Sequence, residues 1–124
     1  MEKRPYGKSG DMLSIVGFGG ILVSGVETQE ASRLVGEAVD RGVSYFDVAP
    51  TYGNAQERLG PALEPHREGV FLACKTTERG REGAAVELRE SLRLLRTDRF
   101  DLYQLHGMSP RRTSIRRWGR TGRW

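Results

Sequence analysis

The chain has 124 residues, 37% hydrophobic and 29% charged, a balance that excludes a disordered polymer and suits one soluble globular domain. No apolar run approaches the roughly 18 residues of a membrane span, and the start Met1-Glu2-Lys3-Arg4-Pro5 lacks the apolar stretch of a secretory signal. The net charge of +4 is uneven: residues 1–108 hold 14 Lys+Arg against 16 Asp+Glu, a net −2, whereas residues 109–124 hold six Arg and no acid.

One cysteine, Cys74, excludes an internal disulfide framework and a multi-cysteine metal site, and makes a reducing cytoplasm the default expectation. Along the chain, Lys3–Tyr6 and Met12–Val16 flank the Gly7-Lys8-Ser9-Gly10-Asp11 cluster, which predicts a β-hairpin. Val16–Gly20 reads as the end of a strand entering a loop. Ala31, Leu34, Val35, Ala38 and Val39 form a one-faced helical stripe, with Thr28 as N-cap and Gly42 as the stop. Val43–Asp47 is rich in β-formers and predicts a strand. Asn54 followed by Glu57 marks the start of a second helix, which Gly60-Pro61 is expected to interrupt. Val70–Lys75 is a continuous apolar run of strand length ending in a charge, the pattern of a strand covered on both faces. Ala85, Leu88, Leu92 and Leu95 mark a third helix, and Asp101–His106 a further strand. Strand starts recur near positions 15, 43, 70 and 102, at steps close to the ~30 residues of a βαβ unit. Four strands alternating with three helices predict a parallel α/β sheet. Alternation alone does not separate a barrel from a doubly wound sheet.

Gly17-Phe18-Gly19-Gly20-Ile21-Leu22 begins like a dinucleotide fingerprint. Its sixth position is Leu22, and the next helix starts several residues too late, so a glycine-rich exit from the strand is the better reading. More telling are Asp47, Lys75 and His106, each at the C-terminal end of a predicted strand. In parallel α/β folds those ends gather on one rim, where active sites are built. Tyr52 follows Asp47 by five residues and can fold back over that rim.

Taken singly, each has a plainer role: a turn or capping aspartate, a solvated lysine, a packed tyrosine, a structural histidine. Their joint placement favours chemistry. A free phenol has a pKa of about 10, poorly matched to acid catalysis near neutrality. An ammonium beside it stabilises the phenolate, and an aspartate keeps that ammonium charged and oriented. An imidazole can donate to a substrate oxygen. Such a set could protonate an oxygen during carbonyl reduction, with the hydride coming from a cofactor. His66 has no such company and reads as a surface loop residue. Cys74 faces away from Lys75 and reads as packing.

At these residues the sequence resembles the aldo-keto reductase family. The resemblance is carried by Gly17-Phe18-Gly19-Gly20, by the specific signature Gly42–Gly53 (GVSYFDVAPTYG), by Arg58-Leu59-Gly60 and Cys74-Lys75, and by Asp101–His106 (DLYQLH). It covers roughly residues 2–108 in collinear order. The resemblance implies the N-terminal half of a (β/α)8 TIM barrel whose bottom the hairpin closes. It implies NADPH-dependent reduction of a small aldehyde or ketone to an alcohol. Tyr52 would be the proton donor, Lys75 and Asp47 the pair that tunes it, and His106 the residue orienting the carbonyl. Gly20, Ile21 and Asp47 would contact the nicotinamide end of NADP(H).

The family pattern stops after Gly107-Met108, at about half its length. The domain organisation expected is a half barrel over residues 1–108 and a basic tail over 109–124, disordered or frameshift-derived. An Arg/Gly/Trp/Pro/Ser mixture is what a GC-rich gene read in the wrong frame encodes. A truncated form with weak or no activity alone is the leading expectation. One rival is an inactive remnant that self-associates through exposed sheet edges. The other is a small module binding RNA or an anionic surface through the Arg/Trp tail, the less favoured reading. No membrane partner is expected.

Overall fold

In the computed structural model the chain opens with a hairpin. Strand β1 (Lys3–Pro5) pairs antiparallel with β2 (Met12–Ser14), placing Lys3 opposite Ser14 and Pro5 opposite Met12. The structure describes residues 1–108, and the basic tail lies outside them. Two serines fasten the hairpin to the rest of the chain. The Ser14 amide donates to Ser44 Oγ (3.1 Å), and the Ser44 amide donates to Ser14 Oγ (2.9 Å). Both residues are buried, so each hydroxyl satisfies an amide that water cannot reach.

Beyond the hairpin, strand and helix alternate. Strand β3 (Gly17–Gly19) runs into a 3-10 turn over Gly20–Val23, and helix α1 spans Thr28–Asp40. Strand β4 (Tyr45–Asp47) is followed by helix α2 (Ala55–Leu63) and a 3-10 segment, Glu64–Gly69. Strand β5 (Phe71–Thr76), helix α3 (Arg81–Leu94) and strand β6 (Leu102–Leu105) complete the described chain. The four later strands form one parallel sheet in the order β3-β4-β5-β6, so sheet neighbours are also sequence neighbours.

The register fixes which residues share a face. Phe18, Phe46 and Leu72 lie side by side, and Cys74 is aligned with Tyr103. This row meets the helices: Ala31 and Val35 from α1 and Ala55, Leu59, Ala62 and Leu63 from α2 pack with it in one core. The opposite face carries Tyr45, Phe71, Asp47 and Lys75. At its lower end Tyr6 of the hairpin packs on Phe71, with ring centroids 5.5 Å apart, and Tyr45 does so at 5.9 Å. The hairpin thus covers the end of the sheet remote from Asp47 and Lys75.

Several local expectations are corrected. The apolar run Met12–Val16 is strand only as far as Ser14; Ile15 and Val16 form a bend between β2 and β3, where Ser14 Oγ donates to the Val16 carbonyl (2.6 Å). Thr28 is the first residue of α1, and Glu27 is its N-cap; Thr28 Oγ1 accepts from the Arg58 guanidinium instead (3.2 Å). Pro61 does not interrupt α2. The helix continues to Leu63, the proline sitting where its missing N–H costs one hydrogen bond while Leu59, Ala62 and Leu63 are buried around it. Gly60 allows α2 to reach the end of α3: a Cβ there would lie 2.3 Å from the Leu94 carbonyl oxygen and 3.0 Å from Leu95 Cα. His66 sits in the 3-10 segment rather than in an irregular loop.

One buried cation has no counterpart in the sequence pattern. Arg67 donates to Thr97 Oγ1 (2.9 Å), to the carbonyls of Val70 (3.0 Å) and Arg99 (2.9 Å), and to Asp101 Oδ2 (3.0 Å). Asp101 Oδ2 also accepts the Leu72 amide (2.8 Å). This cluster locks the entry to β5 against the entry to β6.

Candidate active site

Strand β4 ends on Asp47, and in the parallel register Asp47 stands beside Gly19 of β3 and Ala73 of β5. Lys75 lies two residues further along β5, on the same face as Ala73. Its Nζ donates to Asp47 Oδ2 at 2.5 Å and lies 3.4 Å from the Val48 carbonyl. The Lys75 side chain is 14% exposed and that of Asp47 27%. Burial of Lys75 works against its charge. The Asp47 hydrogen bond and negative charge outweigh that penalty, Tyr52 adds to them, and the ammonium is held above its ordinary value.

Tyr52 reaches this pair because the loop after β4 doubles back. The Tyr52 amide donates to the Ala49 carbonyl (3.2 Å), and the Tyr52 carbonyl accepts from Ala55 at the start of α2 (3.0 Å). Gly53 makes the reversal with φ of 57°, a conformation in which a side chain is strained, and a Cβ there would also meet Ser24 Oγ at 2.6 Å. The loop is tied down again where Asn54 Oδ1 accepts the Gly25 amide (2.8 Å). Asn54 is the N-cap of α2 by position, but its side chain serves this neighbouring loop and not the helix. Lys75 Nζ ends 5.3 Å from the centroid of the Tyr52 ring.

His106 follows β6 directly. Its amide donates to the Thr76 carbonyl (2.8 Å), extending the parallel pairing by one residue, and its carbonyl accepts from the Arg79 guanidinium. The ring stands edge-on to Tyr52, with centroids 5.8 Å apart and planes at 89°. Thr51 Oγ1 lies 3.3 Å from His106 Nδ1. All four residues singled out in the sequence therefore meet at the C-terminal ends of β4, β5 and β6. Gly20 and Ile21 lie just past β3 at the same end, Gly20 buried and Ile21 exposed.

Cys74 is fully buried on the helix side, and burial pushes its thiol up to about 11. Among the described residues no group of His, Cys, Asp and Glu is arranged to hold a metal ion, and no helix is long and apolar enough to cross a membrane. Three contributors escaped the sequence reading. Thr51 has no periodic signal, although it adjoins Tyr52. Arg79 also contacts the carbonyls of Thr76, Thr77 and Glu78 and thereby joins the exits of β5 and β6. Glu87 of α3 accepts from Thr76 Oγ1 (2.6 Å), from Thr77 Oγ1 (2.9 Å) and from the Thr77 amide (2.9 Å).

The arrangement can hold a proton on a phenol next to a fixed positive charge, with an imidazole close by. One further atom bears on what it can bind. Asp47 Oδ1 is buried and has no hydrogen-bond partner among the described residues, so the carboxylate keeps one acceptor unused.

Known proteins resemble this chain in sequence and fold. A curated Bacillus subtilis protein, the uncharacterized oxidoreductase YqkF, is 34% identical over 121 residues, covering 86% of this chain and 39% of its own length. The solved structure of the aldo-keto reductase AKR11C1 from Bacillus halodurans in its holo form matches with a TM-score of 0.72 and 34% identity, over 88% of this chain and 41% of that one. An aldo-keto reductase from Klebsiella pneumoniae, solved in complex with NADPH, matches with a TM-score of 0.72 and 27% identity, over 82% of this chain and 38% of that one. The chain thus spans about two-fifths of the length of these relatives, and its four parallel strands and three helices correspond to part of their α/β barrel. A sequence profile described as the Aldo/keto reductase family matches residues 16–118, from just after the hairpin to beyond Met108. On that match, and on the shared fold, the chain belongs to the aldo/keto reductase family.

Proposed function

We propose that this site reduces a small aldehyde or ketone to the alcohol, with Tyr52 as proton donor and NADPH as the source of reducing equivalents. The observation that carries the reading is the Lys75 ammonium, held by Asp47 and facing the Tyr52 ring. When bound, a reduced nicotinamide supplies the hydride that reaches the carbonyl carbon, which no side chain can provide. Gly20, Ile21 and Asp47 would hold that end of the cofactor, and the unpartnered Asp47 Oδ1 suits a hydroxyl or amide N–H donor.

The protein's own groups handle the oxygen. Tyr52 gives its proton to the carbonyl oxygen as negative charge builds there. Lys75 stabilises the phenolate left behind, and Asp47 keeps the ammonium charged and aimed. His106 donates a hydrogen bond to the same oxygen and fixes its position. The carbon gains a hydride, the oxygen gains a proton, and the phenol is reprotonated from solvent. A cytoplasmic location belongs to this reading, and the buried free thiol of Cys74 suits a reducing compartment.

Three measurements test it. Fluorescence titration with NADPH should show saturable binding, and its absence would remove this chain from the reaction. With an aldehyde panel, NADPH oxidation should be slower than for a full-length relative assayed alongside, because near-attack geometry needs the whole cofactor fixed. Tyr52→Phe should cut whatever turnover is found by about a hundredfold or more while circular dichroism stays unchanged. Undiminished turnover in that variant would assign the proton to another group.

A further inference from the structure

We propose that Thr51 is a positioning residue: its hydroxyl donates to His106 Nδ1, which places the ring proton on Nε2 and leaves Nε2–H as the donor toward a substrate oxygen. The proposal rests on the carbonyl-reduction reading for its purpose, but its geometry stands separately. The His106 backbone is fixed at both polar atoms, the amide by the Thr76 carbonyl and the carbonyl by Arg79. What remains free is the ring. Among the described residues its only hydrogen bond is the one to Thr51 Oγ1, at 3.3 Å from Nδ1.

A neutral imidazole carries one N–H and one lone pair. A ring nitrogen that accepts from a hydroxyl cannot also hold the proton, so a bond accepted at Nδ1 forces the Nε2–H tautomer. The opposite assignment, with Nδ1–H donating to Thr51, would leave Nε2 as a lone pair facing a carbonyl oxygen, which is repulsive. Thr51 adjoins Tyr52 in a loop that the Gly53 turn and the Asn54–Gly25 bond hold in shape. One short segment therefore delivers the proton donor and sets the protonation pattern of its neighbour.

The chain has two histidines, so His66→Gln leaves a single ring to observe. In that background, 15N NMR of the neutral imidazole should show the Nε2–H tautomer. Thr51→Val should shift the ring nitrogens toward a mixed population, and Thr51→Ser should restore the original pattern. A ring found as Nδ1–H in the unmodified loop, or nitrogen shifts that ignore Thr51→Val, would overturn the proposal. The spectrum needs no turnover, so a correct tautomer in a protein that reduces nothing would sink the reaction and spare the positioning role. Where turnover is measurable, Thr51→Val should lower kcat/KM about tenfold, the worth of one hydrogen bond, with Thr51→Ser close to the unmodified protein.

Discussion

Lys75 shows how a single charge is kept useful while largely withdrawn from water. It retains its proton because Asp47 compensates more than burial removes. The folded state binds that proton more tightly than the unfolded chain does. The pair therefore contributes its full stabilisation below the ordinary lysine value of 10.5 and loses it as pH rises through the higher folded value. Asp47→Asn should flatten that alkaline loss of stability, measured by urea denaturation across pH, and should also weaken NADPH binding. Asp47, Lys75, Tyr52 and His106 were legible in the sequence because three of them terminate strand-like runs and the fourth lies one short loop away. Thr51 and Arg79 were not, because a hydroxyl or guanidinium that works through a neighbour leaves no pattern in the chain. Arg79 is visible only once the exits of β5 and β6 are seen side by side.

Helices and strands were read more easily where one face does all the burying. The stripe of α1 has Ala31 and Val35 fully buried in the core, and its extent matches the periodicity. Helix α2 was harder, since Gly60-Pro61 looks like a stop and its tertiary reason is remote: the glycine admits Leu94 and Leu95 of a segment more than a helix away. Gly60→Ala should destabilise the fold by about 1–3 kcal/mol, measurable as a lowered denaturation midpoint, because backbone atoms of α3 have nowhere to move. The Arg67 cluster is likewise a matter of elements meeting. Asp101→Ala would leave a buried guanidinium short of its anion and should cost about 2–3 kcal/mol. At α3, hydrogen bonds from Thr76, Thr77 and Glu78 hold Glu87 below its ordinary value of 4.5 despite some burial. The stabilisation it gives is present above that value and fades as pH falls through the lower folded one. Glu87→Gln should therefore lose part of the acid sensitivity seen by thermal denaturation between neutral pH and about pH 3.

Over the molecule as a whole, the described sheet has two strands with a neighbour on one side only, β3 and β6. Beside β6 a cavity of about 620 Å³ opens between the strand and α3, lined by Ala84, Ala85, Leu88, Tyr103 and Leu105. The Tyr103 hydroxyl is buried with no hydrogen-bond partner among the described residues, and burial pushes the phenol up to about 12. Unpaired edges beside apolar surface favour pairing with another strand. Expressed as these 124 residues, the chain should show concentration-dependent association in analytical ultracentrifugation, and a Tyr103→Lys substitution should reduce it. A concentration-independent monomer would count against edge pairing.

Sheet order also governs how this centre comes into being. Asp47, Tyr52, Lys75 and His106 are supplied by consecutive units of the polypeptide, and every strand pair that joins them is a neighbour in sequence. A nascent chain emerging from the ribosome could assemble the quartet as soon as the span from β4 to His106 was free, with β4, β5 and β6 pairing in the order of their synthesis. Chemistry and early folding would then share the same stretch of message, and a lesion within it would be felt during synthesis before any catalyst existed to impair.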